Sequence, residues 1–334
     1  MRTRRSILLL ALLAGALFGA DESEHPWKEI TYPCPHDDSR QAAMYYQAQG
    51  EEEQPLLVAL HTWSGGYTQN CKSYGNFCVK KNWHFIFPDF RGPNHKPQAL
   101  GSELMVADIV AAVEFVQQNA KVDNRRIYLM GGSGGGHATL LLAGRHPEIW
   151  AAASAWCPIS DVLAWHQECT LAQRGYAGQI EKACGGNPAS SVEAKAEAVR
   201  RSPLTYLAAA REIPLDIATG LHDGHTGSVP VSHSLNAFNL LALPEDRIPE
   251  EDIRFITTQR AVPGHYLPPP PDPAYGKRQL HFRRQSHRTR VTLFEGGHSI
   301  LSNVGLQWLE KQRRGQEPVW DIGLVQSAAS PLDH

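Results

Sequence analysis

The chain has 334 residues, 42% hydrophobic and 20% charged, with 32 Lys and Arg against 34 Asp and Glu for a net charge of −2. That length and apolar content suffice for one large core, and a low-complexity or disordered chain is excluded. Near-neutral charge gives no electrostatic case for nucleic acid or for an anionic membrane as partner.

The N-terminus reads as a secretory signal peptide over residues 1–20. Arg2, Arg4 and Arg5 precede the apolar run Ile7 to Phe18, and small residues follow at Gly19 and Ala20. Cleavage near Ala20 or slightly earlier leaves a secreted or periplasmic chain with no stable membrane association; an uncleaved anchor is the alternative, for which the run is short. The mature chain, 21–334, reads as one domain. Residues 21–50 hold two short extended stretches, around Lys28–Tyr32 and Ala42–Gln47, split by the turn-rich Pro33 to Ser39, and predict an edge hairpin. Pro55 to Leu60 is fully apolar and predicts an interior strand that runs into His61-Thr62-Trp63-Ser64-Gly65-Gly66. A helical patch through Cys71–Cys78 follows, then a buried strand His84 to Phe87 ending in Pro88-Asp89-Phe90-Arg91-Gly92.

Residues 102–120 carry Met105, Ile109, Ala112, Val113 and Val116 on one face and predict an amphipathic helix. Further strands are expected over 126–130, 151–156, 214–219 and 290–294, with a closing helix from Ile300 to Gln312. Buried strands alternating with helices imply a mostly parallel sheet covered on both faces, whose reactive groups lie past the carboxyl ends of the strands. Two stretches interrupt this rhythm. Residues 160–212 are long and polar, and residues 243–289 contain Pro268 to Pro271 and the basic Arg283, Arg284 and Arg288. Stretches of this length act as lids, binding loops or linkers.

Between the 126–130 strand and the following helical run lies Gly131-Gly132-Ser133-Gly134-Gly135. A strand, a glycine-flanked serine and a helix form a nucleophile elbow, whose turn leaves no room for side chains on either side of the serine. No Lys-Ser/Thr pair follows, as a phosphate-binding loop requires. A serine hydroxyl needs a base, and the base needs an orienting acid, in the chain order Ser, acid, His. Asp223 follows the 214–219 strand and His298 follows the last strand, so Ser133, Asp223 and His298 are the expected catalytic residues. Asp161 is the rival acid, while Asp216 lies within its strand and points into the fold. His222, His225 and His233 near Asp223 read as loop or pocket residues rather than metal ligands, and His137 as a packing residue. The backbone N–H groups of Gly134 and Trp63 are the expected oxyanion donors, with Thr62 next. The chemistry calls for no metal and no organic cofactor.

Six cysteines, an even number in a chain read as exported, suggest disulfides, with Cys71–Cys78 and Cys169–Cys184 as the local pairs among fifteen possible pairings.

His61 to Gly66, Pro88 to Gly92, Gly131 to Gly135, Gly220-Leu221-His222-Asp223 with Val229-Pro230, and Phe294 to His298 together resemble the α/β-hydrolase superfamily. They look most like the catalytic domain of prolyl-oligopeptidase-type serine peptidases and the related exported esterases. The resemblance covers about residues 50–312. It implies an eight-stranded, mostly parallel sheet with Ser133, Asp223 and His298 as the triad. Three features depart from it: no β-propeller segment precedes the hydrolase part, the stretch from Asp223 to Val229-Pro230 is long, and 243–289 is inserted between acid and base. An open site favours an esterase acting on acylated carbohydrate or similar esters over a peptidase. A non-catalytic binding protein on a hydrolase scaffold is the remote alternative. The expected partner is a small-molecule, oligosaccharide or peptide substrate.

Overall fold

The computed structural model describes residues 25–321, so the segment read as a signal peptide lies outside the described residues. Nine strands form one sheet: β1 Lys28–Cys34, β2 Ser39–Tyr46, β3 Gln54–Leu60, β4 His84–Pro88, β5 Val122–Gly132, β6 Ala152–Trp156, β7 Leu215–Gly220, β8 Leu280–Ser286 and β9 Thr289–Phe294. Their spatial order is β1-β2-β4-β3-β5-β6-β7-β9-β8. The six strands from β4 to β9 in that order run parallel, and β1, β2 and β8 are antiparallel additions at the two edges. This is the α/β-hydrolase type of sheet, with nine strands rather than eight. The extra strand is β8, inside the stretch expected to be an insertion.

The helices are α1 Lys72–Lys81, α2 Glu103–Asn119, α3 Gly134–Arg145, α4 Val162–Leu171, α5 Tyr176–Cys184, α6 Val192–Arg200, α7 Ser232–Leu241, α8 Glu250–Gln259 and α9 Ser302–Lys311. The period-two pleat of the strands sorts the core into two layers. Leu56, Val58 and Leu60 of β3 join Ile127 and Leu129 of β5 against α2, α3, α7 and α8. Leu57 and Ala59, with Tyr128 and Met130, face the other way onto α1 and α9. Burial on both faces explains why these strands are continuous apolar runs. Helix α2 begins where the sequence predicts it, and the Ser102 hydroxyl caps it by accepting the Met105 N–H at 3.1 Å.

Helices α4, α5 and α6 form a third apolar cluster, a cap that also takes in Trp63 and Val229 from the loops after β3 and β7. The 160–212 stretch therefore sits over the carboxyl ends of the strands, beside the elbow. The 243–289 stretch splits into α8, a proline-rich loop and β8, which pairs with β9 from Leu280 to Ser286.

All six cysteines are free and buried, contrary to the expected pairings. Cys71 precedes α1 and Cys78 lies seven residues along it. Seven helical residues rise roughly 10 Å, beyond the ~7 Å that a disulfide can bridge between Cα atoms. Cys169 of α4 and Cys184 of α5 share the cap cluster as separate thiols.

Candidate active site

Strand β5 ends at Gly132 and α3 begins at Gly134, which leaves Ser133 alone in the turn with φ 59° and ψ −121°. A non-glycine residue in that region is strained, and the strain persists because its surroundings over-determine it. The Ser133 N–H donates to Trp156 O at 2.8 Å, and its carbonyl accepts the His137 N–H at 2.9 Å. A side chain at Gly131 would collide with the Gly135 backbone, and one at Gly135 would lie 2.5 Å from Leu60 O. The glycines are thus required by close backbone packing between β3, β5 and α3.

Asp223 and His298 come together, with His298 Nδ1 at 2.7 Å from Asp223 Oδ2. The two loops that carry them are zipped by backbone hydrogen bonds, Leu221 N–H to Phe294 O and His222 N–H to Gly296 O, each 2.9 Å. Asp223 is 1% exposed. Its Oδ1 accepts the N–H groups of Gly224 at 2.8 Å and Val229 at 3.2 Å, and Thr219 Oγ1 donates to Oδ2 at 3.4 Å. The long stretch after Asp223 folds back so that Val229 can make this contact. His298 Nε2 is buried without a partner among the described residues.

Cys157 stands beside the acid and the imidazole, its Sγ within 4.8 Å of a carboxylate oxygen of Asp223 and a ring nitrogen of His298. It follows β6 with φ 45°, and its thiol donates to Ser299 O at 3.4 Å. Burial works against a charged His298 imidazole, but the Asp223 carboxylate and Cys157 beside it outweigh burial and raise its pKa above the ordinary 6.5.

The loop after β3 packs onto the elbow. A Cβ on Gly134 would lie 2.5 Å from the backbone N of Trp63. The Trp63 backbone N thus lies against Gly134, and neither residue's N–H has an acceptor among the described residues. The Thr62 N–H, by contrast, is taken by Gln69 Oε1 at 2.9 Å. Asn94 is fully buried behind this loop; its N–H donates to Trp63 O at 2.9 Å, and its side-chain oxygen accepts the Leu100 N–H at 2.9 Å. The cap holds the same loop from outside. Gln179 Oε1 accepts the Trp63 indole N–H at 2.5 Å, and Trp165 meets Trp63 edge-on with ring centroids 4.7 Å apart. Trp165 also donates to Ser228 O at 2.9 Å, and Arg174 to Gly224 O at 2.7 Å. The cap therefore grips both the β3 loop and the acid loop.

The remaining candidates lie elsewhere. Asp161 caps α4 by accepting the Ala164 N–H, and Asp216 pairs with buried Arg290 at 2.8 Å. His222 binds Glu295, His225 binds Thr257 O, and His233 binds Glu168 and the Ser160 backbone N–H. His137 is fully buried on Arg201 O. Asn94, Cys157 and Gln179 were not singled out from the sequence. Cys157 carried the one usable signal, its place directly after a strand; Asn94 and Gln179 act through contacts distant in the chain.

Residues 77–259, more than half of the chain, match the prolyl oligopeptidase family. The chain belongs to that family. It is 25% identical over 167 residues to feruloyl esterase B of Thermothelomyces thermophilus, a match covering 47% of this chain and 55% of the esterase. It is 26% identical over 131 residues to acylamino-acid-releasing enzyme 1 of rice (Oryza sativa subsp. japonica), covering 36% of this chain and 16% of that enzyme. Among solved structures, an acylaminoacyl peptidase of Pyrococcus horikoshii superposes over 89% of this chain and 43% of its own with a TM-score of 0.59 at 15% identity. A puromycin hydrolase covers 85% of this chain and 38% of its own with a TM-score of 0.57 at 16% identity. These structural likenesses are of fold. The chain spans about half, or less, of the length of the relatives it matches.

Proposed function

We propose that this family member is an exported serine carboxylesterase acting on acylated carbohydrate or similar esters, with Ser133 as nucleophile, His298 as base and Asp223 as orienting acid. The assignment is supported by the 2.7 Å Asp223–His298 contact past the ends of β7 and β9, together with a serine held at positive φ past the end of β5. His298 Nε2 takes the Ser133 hydroxyl proton as the oxygen attacks the acyl carbonyl, and the N–H groups of Trp63 and Gly134 receive the developing oxyanion. Protonated His298 then gives that proton to the departing alcohol, leaving an acyl-serine. Water, deprotonated by the same imidazole, attacks the acyl-serine and frees the acid.

An ester substrate is supported by the likeness to feruloyl esterase B, and export by the Arg2–Ala20 pattern. The likeness to acylamino-acid-releasing enzyme 1 favours the second reading, a peptidase working through the same three residues. Ser133→Ala should abolish both ester turnover and fluorophosphonate labelling while leaving the circular dichroism spectrum and melting temperature near those of the parent. A Ser133→Ala protein that still turns over substrate overturns the assignment. Comparing p-nitrophenyl acetate, feruloyl esters and dipeptidyl amides separates the two readings, since amide cleavage at comparable efficiency selects the peptidase. N-terminal sequencing of the exported chain tests the cleavage near Ala20.

A further inference from the structure

Acyl transfer leaves one buried nucleophilic group beside the site without a task. Cys157 is fully buried and held in the left-handed region at φ 45°, with its N–H donated to Ala218 O on β7 at 2.8 Å. A non-glycine residue pays for that conformation, and the result is a thiol fixed in place against the base loop. Its Sγ, a carboxylate oxygen of Asp223 and a ring nitrogen of His298 all lie within 4.8 Å of one another. Sulfur, imidazole nitrogen and carboxylate oxygen on three different loops are the donor types that zinc accepts.

We propose that Cys157, His298 and Asp223 form an inhibitory site for a thiophilic divalent cation such as zinc, which turns the hydrolase off by occupying its base. Bonds of about 2.0–2.3 Å at tetrahedral angles put zinc ligands roughly 3.3–3.6 Å apart, so the 2.7 Å Nδ1–Oδ2 pair has to open by under about 1 Å and the thiol to close in by no more than about 1.5 Å. The fixed backbone at Cys157 and the zipped loops at 223 and 298 make the donors pre-positioned. Water fills the fourth position. Binding displaces the thiol proton to solvent, so the affinity rises with pH. Coordination costs the imidazole either its free Nε2 or its Nδ1 hydrogen bond to Asp223, and in both cases Ser133 loses its base.

The inhibition arm of the test rests on the hydrolase reading above; the binding arm does not. For binding, cobalt(II) is added to the Ser133→Ala protein and the near-ultraviolet thiolate-to-cobalt charge-transfer band is recorded, then repeated with Cys157→Ser and Cys157→Ala added to Ser133→Ala. The band is expected in the first protein and absent from both double variants. For inhibition, zinc is titrated into the enzyme with and without Cys157→Ser, each against its own uninhibited rate. The inhibitory concentration should rise at least about tenfold in the variant, and a chelator should restore the parent's rate. A Glu295→Gln protein controls for the exposed imidazoles of His222 and His281, which share that carboxylate, and should keep the parent's sensitivity. No band in the Ser133→Ala protein, a band that survives loss of Cys157, or equal zinc sensitivity with and without Cys157 each overturns the proposal.

Discussion

Asp223→Asn is the substitution whose outcome the local geometry dictates most closely. Asp223 Oδ1 accepts two backbone N–H groups, from Gly224 and Val229, while Oδ2 faces His298 Nδ1. An asparagine must keep its carbonyl oxygen in the Oδ1 place, because an NH2 group there would meet two donors with a third. Its NH2 then points at Nδ1 and donates, so the imidazole must offer a lone pair at Nδ1 and carry its proton on Nε2. That is the wrong tautomer, and Nε2 can no longer take the serine proton. The same exchange in triad enzymes costs about 10⁴ in kcat, or about 5.5 kcal/mol of barrier. Folding should change little, since the backbone contacts remain. The assay is single-turnover acylation with a chromogenic ester, with the fluorophosphonate labelling rate of Ser133 measured in parallel. Both should fall together. A variant that melts normally and retains activity within about tenfold of the parent refutes the tautomer argument and Asp223 with it.

Three further outcomes follow from neighbouring contacts. The Asp223 carboxylate and Cys157 hold the His298 proton above pH 6.5 despite burial, and the base must be neutral to act, so kcat/KM should climb with pH along a limb centred above 6.5. Cys157→Ala should move that limb downward; a limb below 6.5, or one unmoved in the variant, contradicts this. His137 is buried as the neutral form, with burial lowering its pKa to about 4. Its contribution to stability is complete above the unfolded value near 6.5 and is lost as the pH falls toward 4, because the unfolded chain takes the proton first. The loss amounts to about 3 kcal/mol in denaturant titrations, and His137→Gln should flatten that acid limb. Gln179→Leu removes the acceptor of the Trp63 indole N–H. It should cost about 1–3 kcal/mol of stability and lower kcat more than it alters KM, while Gln179→Glu, which keeps an acceptor, should be milder; a Leu variant with the parent's kcat would detach the cap from the oxyanion loop.

The sheet and elbow were legible because strands buried on both faces carry apolar runs: β4, β6, Pro55–Leu60 of β3 and Ile127–Met130 of β5 are such runs, and β7 and β9 stay mostly apolar around the buried Asp216–Arg290 pair. Strand β8 was not. Only Leu280 and Phe282 of its first half face inward, interleaved with His281 and Arg283, and the four prolines just before it read as a loop. It is an edge strand whose outer face carries charge, so its sequence lacks the continuous run that marked the others. The cysteine expectation failed for a different reason: an even count says nothing about geometry, and Cys71 and Cys78 are set apart by the helix between them. Asn94 and Gln179 left no local trace. Each acts on Trp63, 31 and 116 residues away in sequence, and a contact of that separation exists only once the fold has formed.

The site is specified in two halves by different means. The proposed acid and base lie 75 residues apart, yet backbone pairing sets their separation: Gly220 is in register with Phe294 across β7 and β9, and the loops beyond stay bonded through Leu221 and His222. Side-chain changes elsewhere can hardly disturb that spacing. The Trp63 N–H is held differently, by Asn94 from behind and by Gln179 and Trp165 of the cap in front. Its position depends on side chains of a segment that also touches the acid loop at Ser228 and Gly224. The proposed proton-transfer half is therefore carried by the sheet and should tolerate remodelling of the cap. The proposed oxyanion half is tied to the cap, so a change there should alter substrate fit and transition-state stabilisation together. A fold built this way can keep one chemistry while its cap diverges between ester and amide substrates, and substitutions in α4 and α5 are where this chain's selectivity should prove adjustable.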